Sequence, residues 1–315
     1  MLTVFMLQEG RLEYHRSRSI EDLHNEAIWI DLREPTEREW EWVVEVYGQH
    51  LPNPAEVDDI EESARFYEDL RGMHITSFFL HNDSNGQVTI PVIFTLYQGR
   101  LFTRRSEELS AFRAFRMRAR RHAGLACTAL GIMLEILDTK VEVMADTLED
   151  TYTSLDTLTH VVLQPTGTEM ADVLLQLANS EDVNGKVRLC LMDNQRVLSY
   201  LARRVSLNEE QREQVRQMAR DIESLIAHTS FLFNKINFLM DTAMGMVNIE
   251  QNRIIKIFSI AAVVFLPPTL IASIYGMNFE WLPELHFQYG YPFALMLMVA
   301  VGIAPYLYFK YKGWL

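Results

Sequence analysis

Polar and small side chains recur along one face of a helical segment that leads into an uncharged stretch near the end of the chain. They alternate at steps of four and three residues, which places them on one side of a helix. The face consists of Asp241, Gly245, Asn248, Asn252, Ile255, Ser259, Ala262, Leu266, Thr269 and Ser273. Oxygen-bearing groups at membrane depth need water or a partner, so identical subunits in a ring would enclose a path for cations. Close packing of small residues between helices is the alternative.

Two stretches without charged residues, 257–275 and 287–309, follow this segment. Each is close to the ~20 residues that a helix needs to cross a ~30 Å hydrocarbon core. Together they predict a hairpin of membrane spans, with bulky Ile255 and Leu266 as apolar constrictions of any channel. Pro267 and Pro268 leave two carbonyls of the first span without amide donors. This indicates contact with other helices or a pore, or else a simple kink.

Basic residues flank the open ends of the hairpin, and acidic residues lie in its connection. The bases are Arg253, Lys256, Lys310 and Lys312, and the acids are Glu280 and Glu284. By the positive-inside rule, both termini are cytoplasmic and the connection is external. The bases either anchor the hairpin or form a ring that repels cations. The acids either concentrate cations at the mouth or are solvated surface charges.

The composition excludes some classes of protein. The 315 residues include 29 Lys and Arg against 42 Asp and Glu, a net charge of −13, so nucleic acid is not an expected partner. Cys127 and Cys190 lie in no metal-binding spacing and are expected to be reduced and at least half-buried. The N-terminal residues lack the pattern of a signal peptide, so the segment before the spans is expected in the cytoplasm.

The first 124 residues have the pattern of a mixed α/β domain. Strand-like segments occupy residues 27–32, 73–80, 88–97 and 100–105. Pro35-Thr36 before an amphipathic run predicts a capped helix start. No glycine-rich phosphate loop, nucleophile elbow or metal triad stands out, which argues against an enzyme and against a nucleotide site.

Helical periodicity begins near residue 125. A break at 164–168 separates a first helix from a second at about 170–205, and Ser206 with Glu209 predicts a capping box for a third. The third helix has an apolar seam with one threonine: Val215, Met218, Ile222, Leu225, Thr229, Leu232, Ile236, Leu239, Ala243 and Met246. It runs into the first span without a breaker, as a rod of about 100 Å. We expect other copies of the chain to cover this rod.

The residues after the first uncharged stretch resemble a family signature. Tyr275-Gly276-Met277-Asn278-Phe279-Glu280 lies at the outer end of a span, before a short acidic loop and a final span. This run is similar to the signature of the CorA family of magnesium transporters. Residues 58–69, 186–196 and 248–259 extend the resemblance over nearly the whole chain.

The resemblance implies a funnel-shaped homopentamer in a bacterial inner membrane, with the first span around the pore and the second outside it. The family's pore positions fall on Asn252, Ile255, Phe258, Ala262, Leu266, Thr269 and Asn278, so that Phe258 takes the place of Ser259. Gly276, Met277 and Asn278 would form a selectivity filter that accepts hydrogen bonds from the waters of a hydrated ion.

The resemblance also implies the cargo and its control. Mg²⁺ would enter along the membrane potential, with Co²⁺ and Ni²⁺ as further candidate cargo, and Mg²⁺ bound between cytoplasmic domains would close the pore. The candidate regulatory ligands are Asp58, Asp59, Glu61 and Asp221, with Glu62, Glu68 and Asp69 in the same charge-dense segments. No nucleotide is expected.

The expected fold is an α+β cytoplasmic domain with αβα layers, joined to a very long stalk helix that continues into the two-span hairpin. The expected boundaries are 1–124 for the α/β domain, 125–253 for the helical stalk, 254–275 for the first span, 276–286 for the external loop, 287–309 for the second span and 310–315 for a basic tail.

Two other functions compete with this interpretation. A zinc transporter of the same superfamily would favour His or Cys along the polar face, and none occurs there. A membrane-anchored enzyme would need a cluster of catalytic groups, whereas the nine histidines are scattered.

Overall fold

A computed structural model of the chain describes residues 1–52, 65–84, 86–122, 124, 127–163, 170–278 and 288–313. The chain divides into two compact units, Met1–Met240 and Asp241–Leu315. The predicted acidic positions Asp58, Asp59, Glu61, Glu62, Glu280 and Glu284 lie outside the described residues.

The first unit contains a seven-stranded sheet in the order β2-β1-β3-β7-β6-β5-β4. Its strands are β1 Leu2–Gln8, β2 Arg11–Arg16, β3 Trp29–Arg33, β4 Phe66–Asp69, β5 Gly72–Asp83, β6 Gly86–Tyr97 and β7 Arg100–Arg105. Neighbouring strands are antiparallel except β3 and β7, which pair in parallel with Trp29 opposite Leu101. The four strand-like segments of the sequence correspond to β3, β5, β6 and β7.

Helices cover both faces of this sheet. The helices of the chain are α1 Glu37–Tyr47, α2 Ser110–Arg121, α3 Ala129–Leu163, α4 Met170–Arg204, α5 Glu209–Tyr275 and α6 Gly290–Tyr311, of which α1 to α4 pack on the sheet. On one face, Val43 and Tyr47 of α1 join a core with Ile30 and Phe102. On the other face, Phe112 of α2 lies with its ring 5.6 Å from that of Phe79 and 6.2 Å from that of Phe94. The predicted αβα layering is confirmed.

Helix α1 begins where the sequence predicts. The Thr36 side chain accepts a hydrogen bond from the Glu39 amide, and the Glu39 carboxylate accepts one from the Thr36 amide, which completes a capping box. The same carboxylate accepts a hydrogen bond from the N-terminal amine of Met1 at 2.8 Å. The helix ends at Gly48, whose positive φ of 65° suits a left-handed cap.

The predicted cap of α5 is wrong by two residues. Asn208 is the capping residue, because its side chain accepts from the Gln211 amide at 2.8 Å while Gln211 accepts from the Asn208 amide. Asn is at least as good a cap as Ser, and Gln at the third helical position completes the box as Glu would. Both patterns are present in the sequence within two residues of each other.

The apolar seam of α5 is covered by the chain itself. Met218, Ile222, Leu232 and Ile236 are fully buried in a single copy, and so is Thr229. Asn184 of α4 donates a hydrogen bond to the Thr229 carbonyl at 3.0 Å. The expectation that other copies must cover this part of the helix is therefore wrong, because α3 and α4 are long enough to pack beside it.

A buried ionic network joins the sheet to α3 and α4. Asp193 of α4 forms salt bridges with Arg65 and with Lys140 of α3, and it accepts hydrogen bonds from the Ser77 hydroxyl at 2.6 Å and the Phe78 amide at 2.9 Å. Burial opposes ionisation of Asp193, but Lys140 and Arg65 outweigh it and hold the pKa of the carboxyl below its usual range. The charge of Asp193 is thus compensated from three separate elements.

We predict that Asp193→Ala destabilises the first unit by about 3–5 kcal/mol, because it leaves two cations buried without a partner. The measurement is thermal unfolding of the detergent-solubilised protein. Asp182→Ala is the matched control, since Asp182 forms an exposed helical pair with Lys186 and costs only about 0.5 kcal/mol. Equal midpoints for the two variants would contradict the prediction. The folded pKa of Asp193 is lowered, so its contribution is complete at neutral pH and is lost as the pH falls below the usual carboxyl range.

Candidate ion pathway

Two helices in the described residues are long and apolar enough to cross a membrane. The apolar end of α5 has a mean hydropathy of 2.2 over its best window, and none of that window is buried in a single chain. The corresponding window of α6 has a value of 1.8 and is also almost entirely uncovered. Both coincide with the predicted spans.

The first span has two opposite faces that differ in what they contact. Ile260, Ala261, Val264, Pro268 and Ile271 are half-buried and form one face. The polar face lies about 180° away at about 100° per residue, and it is exposed from Asn248 to Ser273. The second span covers the apolar face of the first and leaves the polar face uncovered.

The two spans meet at the proline pair. A Cβ atom on Gly302 of α6 would lie 3.2 Å from Cγ of Pro268 and 3.6 Å from the carbonyl oxygen of Val264. Helix α5 continues through both prolines to Tyr275. The close approach of Gly302 therefore falls on one of the carbonyls that the prolines deprive of an amide donor.

The predicted pore-lining residues all lie on the uncovered side of the span. Ile255, Phe258 and Leu266 are 54%, 71% and 65% exposed, and Asn252, Ser259, Ala262 and Thr269 are also exposed. Thr269 donates its hydroxyl proton to the Phe265 carbonyl at 2.7 Å, so its own oxygen can still accept. Phe258 and Ser259 are both exposed and lie on either side of the centre of the face.

The signature residues begin where α5 ends. The Gly276 amide donates to the Ala272 carbonyl at 2.9 Å, and the Met277 amide donates to the Ile274 carbonyl at 3.3 Å. A Cβ atom on Gly276 would lie 3.1 Å from the Ala272 oxygen, so the tight last turn favours glycine. Asn278 follows outside the helix and is exposed.

The flanking basic residues are exposed. Arg253 lies 3.7 Å from the Glu250 carboxylate, a weak helical pair, and Lys256, Lys310 and Lys312 are open to their surroundings. Their positions are equally suited to anchoring and to repulsion of cations.

Asp221 belongs to an acidic face of the first unit that the sequence did not reveal. Burial raises the pKa of Asp138 on α3, and the charges of Glu142 and Asp221 raise it further. Burial and the charge of Asp138 also raise the pKa of Glu135, although a hydrogen bond from Gln214 opposes this. Arg118, which forms a salt bridge with Glu142, opposes these shifts in part, and the mutual repulsion of the carboxylates would stabilise a further cation near them. Within the described residues, no three His, Cys, Asp or Glu side chains could hold a metal ion together.

The arrangement defines a class of protein: a mixed-sheet domain whose last helix continues into one of two membrane-spanning helices with an uncovered polar face. The family model described as "CorA-like Mg2+ transporter protein" matches residues 24–311. The chain belongs to this family of Mg²⁺ transporters and is a membrane protein.

Relatives and solved structures agree with this assignment. The chain is 50% identical, over 100% of both sequences, to proteins named "Magnesium transport protein CorA" from Yersinia pseudotuberculosis, Salmonella typhimurium and Escherichia coli. The complete CorA magnesium transporter of Methanocaldococcus jannaschii has the same fold, with a TM-score of 0.73 at 19% identity over 100% of this chain and 99% of that one. The ZntB cytoplasmic domain of Vibrio parahaemolyticus shares the fold at 13% identity and a TM-score of 0.51, over 79% of this chain and 98% of that domain.

These findings decide between the competing functions. The family is one of transporters, so the enzyme interpretation is rejected. The zinc alternative is not favoured, because the relatives at 50% identity are magnesium transport proteins. The resemblance to ZntB concerns the fold of the cytoplasmic domain alone.

The two-faced span predicts that Ala262 and Ala261 differ in access to water. In the intact protein with Cys127→Ser, Ala262→Cys should react with a charged methanethiosulfonate reagent, whereas Ala261→Cys should not. The remaining Cys190 is fully buried, which raises the pKa of its thiol to about 11 and keeps it unreactive. The measurement is the modification rate in membranes. Equal rates at the two neighbouring alanines would contradict a water-filled path along the polar face.

Proposed function

We propose that the chain forms a homopentamer in which the uncovered polar face of the first span lines a path for Mg²⁺ influx. The observation that carries this proposal is the opposition of the two faces. The second span covers the apolar face, and oxygen-bearing side chains such as Ser259 and Thr269 are left without protein cover in the single chain. Such groups at membrane depth are stable where they line water. Identical copies around an axis supply that water-filled space.

Selection takes place at Asn278, at the outer end of the first span. Mg²⁺ loses its waters reluctantly and prefers oxygen around it. Asn278 amide oxygens and Gly276 carbonyls from several copies would accept hydrogen bonds from the bound waters and pass the ion hydrated. Glu280 and Glu284 raise the cation concentration at the mouth. Co²⁺ and Ni²⁺, whose hydrated forms are similar, are expected to share the path.

The membrane potential drives the transport. A negative interior contributes ~2.3 kcal/mol per charge for each 100 mV, and roughly twice that for a divalent ion. Both termini lie in the cytoplasm of a bacterium, with the connection between the spans outside. The basic residues Arg253, Lys256, Lys310 and Lys312 then lie at the cytoplasmic side of the inner membrane.

Cytoplasmic Mg²⁺ closes the path by binding at the acidic face that includes Asp138 and Asp221. Burial and then the charges of Glu142 and Asp221 raise the pKa of Asp138, and a bound cation would favour its ionised form. Since a single copy offers no complete set of ligands within its described residues, the remaining oxygens come from a second copy. Binding between copies couples the occupancy of the site to the arrangement of the subunits.

The test of the proposed function is Mg²⁺ uptake into proteoliposomes under an imposed negative-inside potential. Asn278→Ala should lower uptake at least about tenfold, because a hydrogen bond to a charged group contributes about 1.5–3 kcal/mol. Asn82→Ala, an exposed site at the end of β5, is the control. Potential-driven uptake that Asn278→Ala leaves intact would remove the filter, and Zn²⁺ uptake in place of Mg²⁺ would restore the zinc alternative.

A second experiment tests closure by internal Mg²⁺. Asp221→Asn should raise the internal Mg²⁺ concentration for half-maximal closure by about fivefold or more, the lower range of couplings between sites. Asp172→Asn, which removes an exposed carboxylate at the start of α4, should leave it unchanged. The measurement is uptake as a function of Mg²⁺ preloaded into the vesicles. A shift of the same size in both variants would show a general charge effect instead of a site.

A further inference from the structure

We propose that Gly302 of the second span is a positioning residue for transport: its missing side chain sets how closely α6 approaches the proline pair of α5 and thereby holds the opposite, ion-facing side in place. This inference rests on the proposed function, since it assumes that the polar face lines the ion path. Gly302 itself faces away from that path.

The contact is tight for any side chain. A Cβ atom at position 302 would lie 3.2 Å from Cγ of Pro268, which is closer than ordinary van der Waals contact, and 3.6 Å from the Val264 oxygen. The pyrrolidine ring of Pro268 is closed onto its own backbone, so it cannot swing away as a flexible side chain would. A methyl group at position 302 therefore requires a shift of a few tenths of an ångström, and a larger side chain requires a larger shift.

Absence of a side chain is a specific requirement at this position. In the same unit, a Cβ atom on Gly245 would meet nothing within 4 Å. Ala300 and Ala304, two residues to either side of Gly302, are exposed on the far face of α6. Gly302 therefore lies on the covered side of α6, whereas its neighbours Ala300 and Ala304 do not.

The first span is easiest to displace where Gly302 meets it. Pro267 and Pro268 donate no amide hydrogen bonds, so the helical ladder of α5 lacks two consecutive bonds there. Leu266 and Thr269 flank the prolines and lie about 160° and about 100° away from Pro268 around the helix. Pressure on Pro268 from α6 therefore moves Leu266 toward the proposed ion path and narrows it.

The experiment compares Gly302→Ala and Gly302→Val with Ala304→Val in potential-driven Mg²⁺ uptake. Uptake should fall in the order glycine, alanine, valine, with a maximal rate at least about tenfold lower for valine, as expected for overpacking in a tight contact. The Mg²⁺ concentration for half-maximal uptake should stay unchanged, because Asn278 is untouched. Ala304→Val should transport like wild type.

A second variant separates positioning from loss of folding. Pro268→Ala removes the Cγ atom that a side chain at position 302 would meet. The double variant Gly302→Ala/Pro268→Ala should therefore take up Mg²⁺ as fast as Pro268→Ala alone. The modification rate of Ala262→Cys should fall in Gly302→Ala and recover in the same double variant. A general loss of stability would lower the amount of assembled protein without restoring these rates.

Two results would overturn the role of Gly302 while wild-type uptake still supports the proposed function. In the first, Gly302→Val takes up Mg²⁺ as fast as Ala304→Val. In the second, uptake falls in Gly302→Ala and Pro268→Ala does not correct it. If wild type shows no potential-driven Mg²⁺ uptake, the proposed function fails first. A changed half-maximal concentration with an unchanged maximal rate would place the effect at the mouth and also overturn the inference.

Discussion

The membrane imposes the constraint on which the rest of this structure depends: polar groups within the hydrocarbon must find partners in the protein or in enclosed water. The first span satisfies most of its backbone by remaining helical through Pro267 and Pro268. Its side chains cannot be satisfied in the same way, because the second span covers only the apolar side. In the proposed homopentamer, other copies of the chain would enclose water along the polar side, so the same assembly would serve both stable insertion and transport.

In the first unit, charged groups are buried in the protein core and must find their partners within one chain. The buried carboxylate of α4 is the main example. Asp193 collects Arg65, Lys140, Ser77 and a backbone amide around this carboxylate. The arrangement costs desolvation and becomes stable only when every partner is present. Such a network specifies the position of α4 against the sheet more strictly than apolar packing would, since a small shift would leave a charge unpaired.

Sequence patterns predicted what depends on local spacing. Alternation in β5 and β6, the Thr36 capping box and the uncharged spans were all visible, and so was the face from Asn248 to Ser273. The short hairpin of β1 and β2 was missed, although Glu9 and Gly10 turn the chain with positive φ. Its strand β2 is exposed at the sheet edge, so its apolar pattern is weak. The role of Asp193 cannot be predicted from local spacing, because its partners lie up to 128 residues away in sequence.

Gly302 and the acidic face around Asp138 differ in whether one chain contains all the groups that their proposed roles require. Gly302 acts through a contact between two spans of one chain, which a single copy contains in full. The acidic face around Asp138 has no complete set of metal ligands among the described residues, so the proposed closure by Mg²⁺ draws its remaining ligands from a second copy. In the proposed mechanism of closure, a change in subunit arrangement would reach the ion path through the long helix α5. At the proline pair, α5 lacks two consecutive backbone hydrogen bonds. The contact with Gly302 on the covered side of the span holds this weakened segment in position.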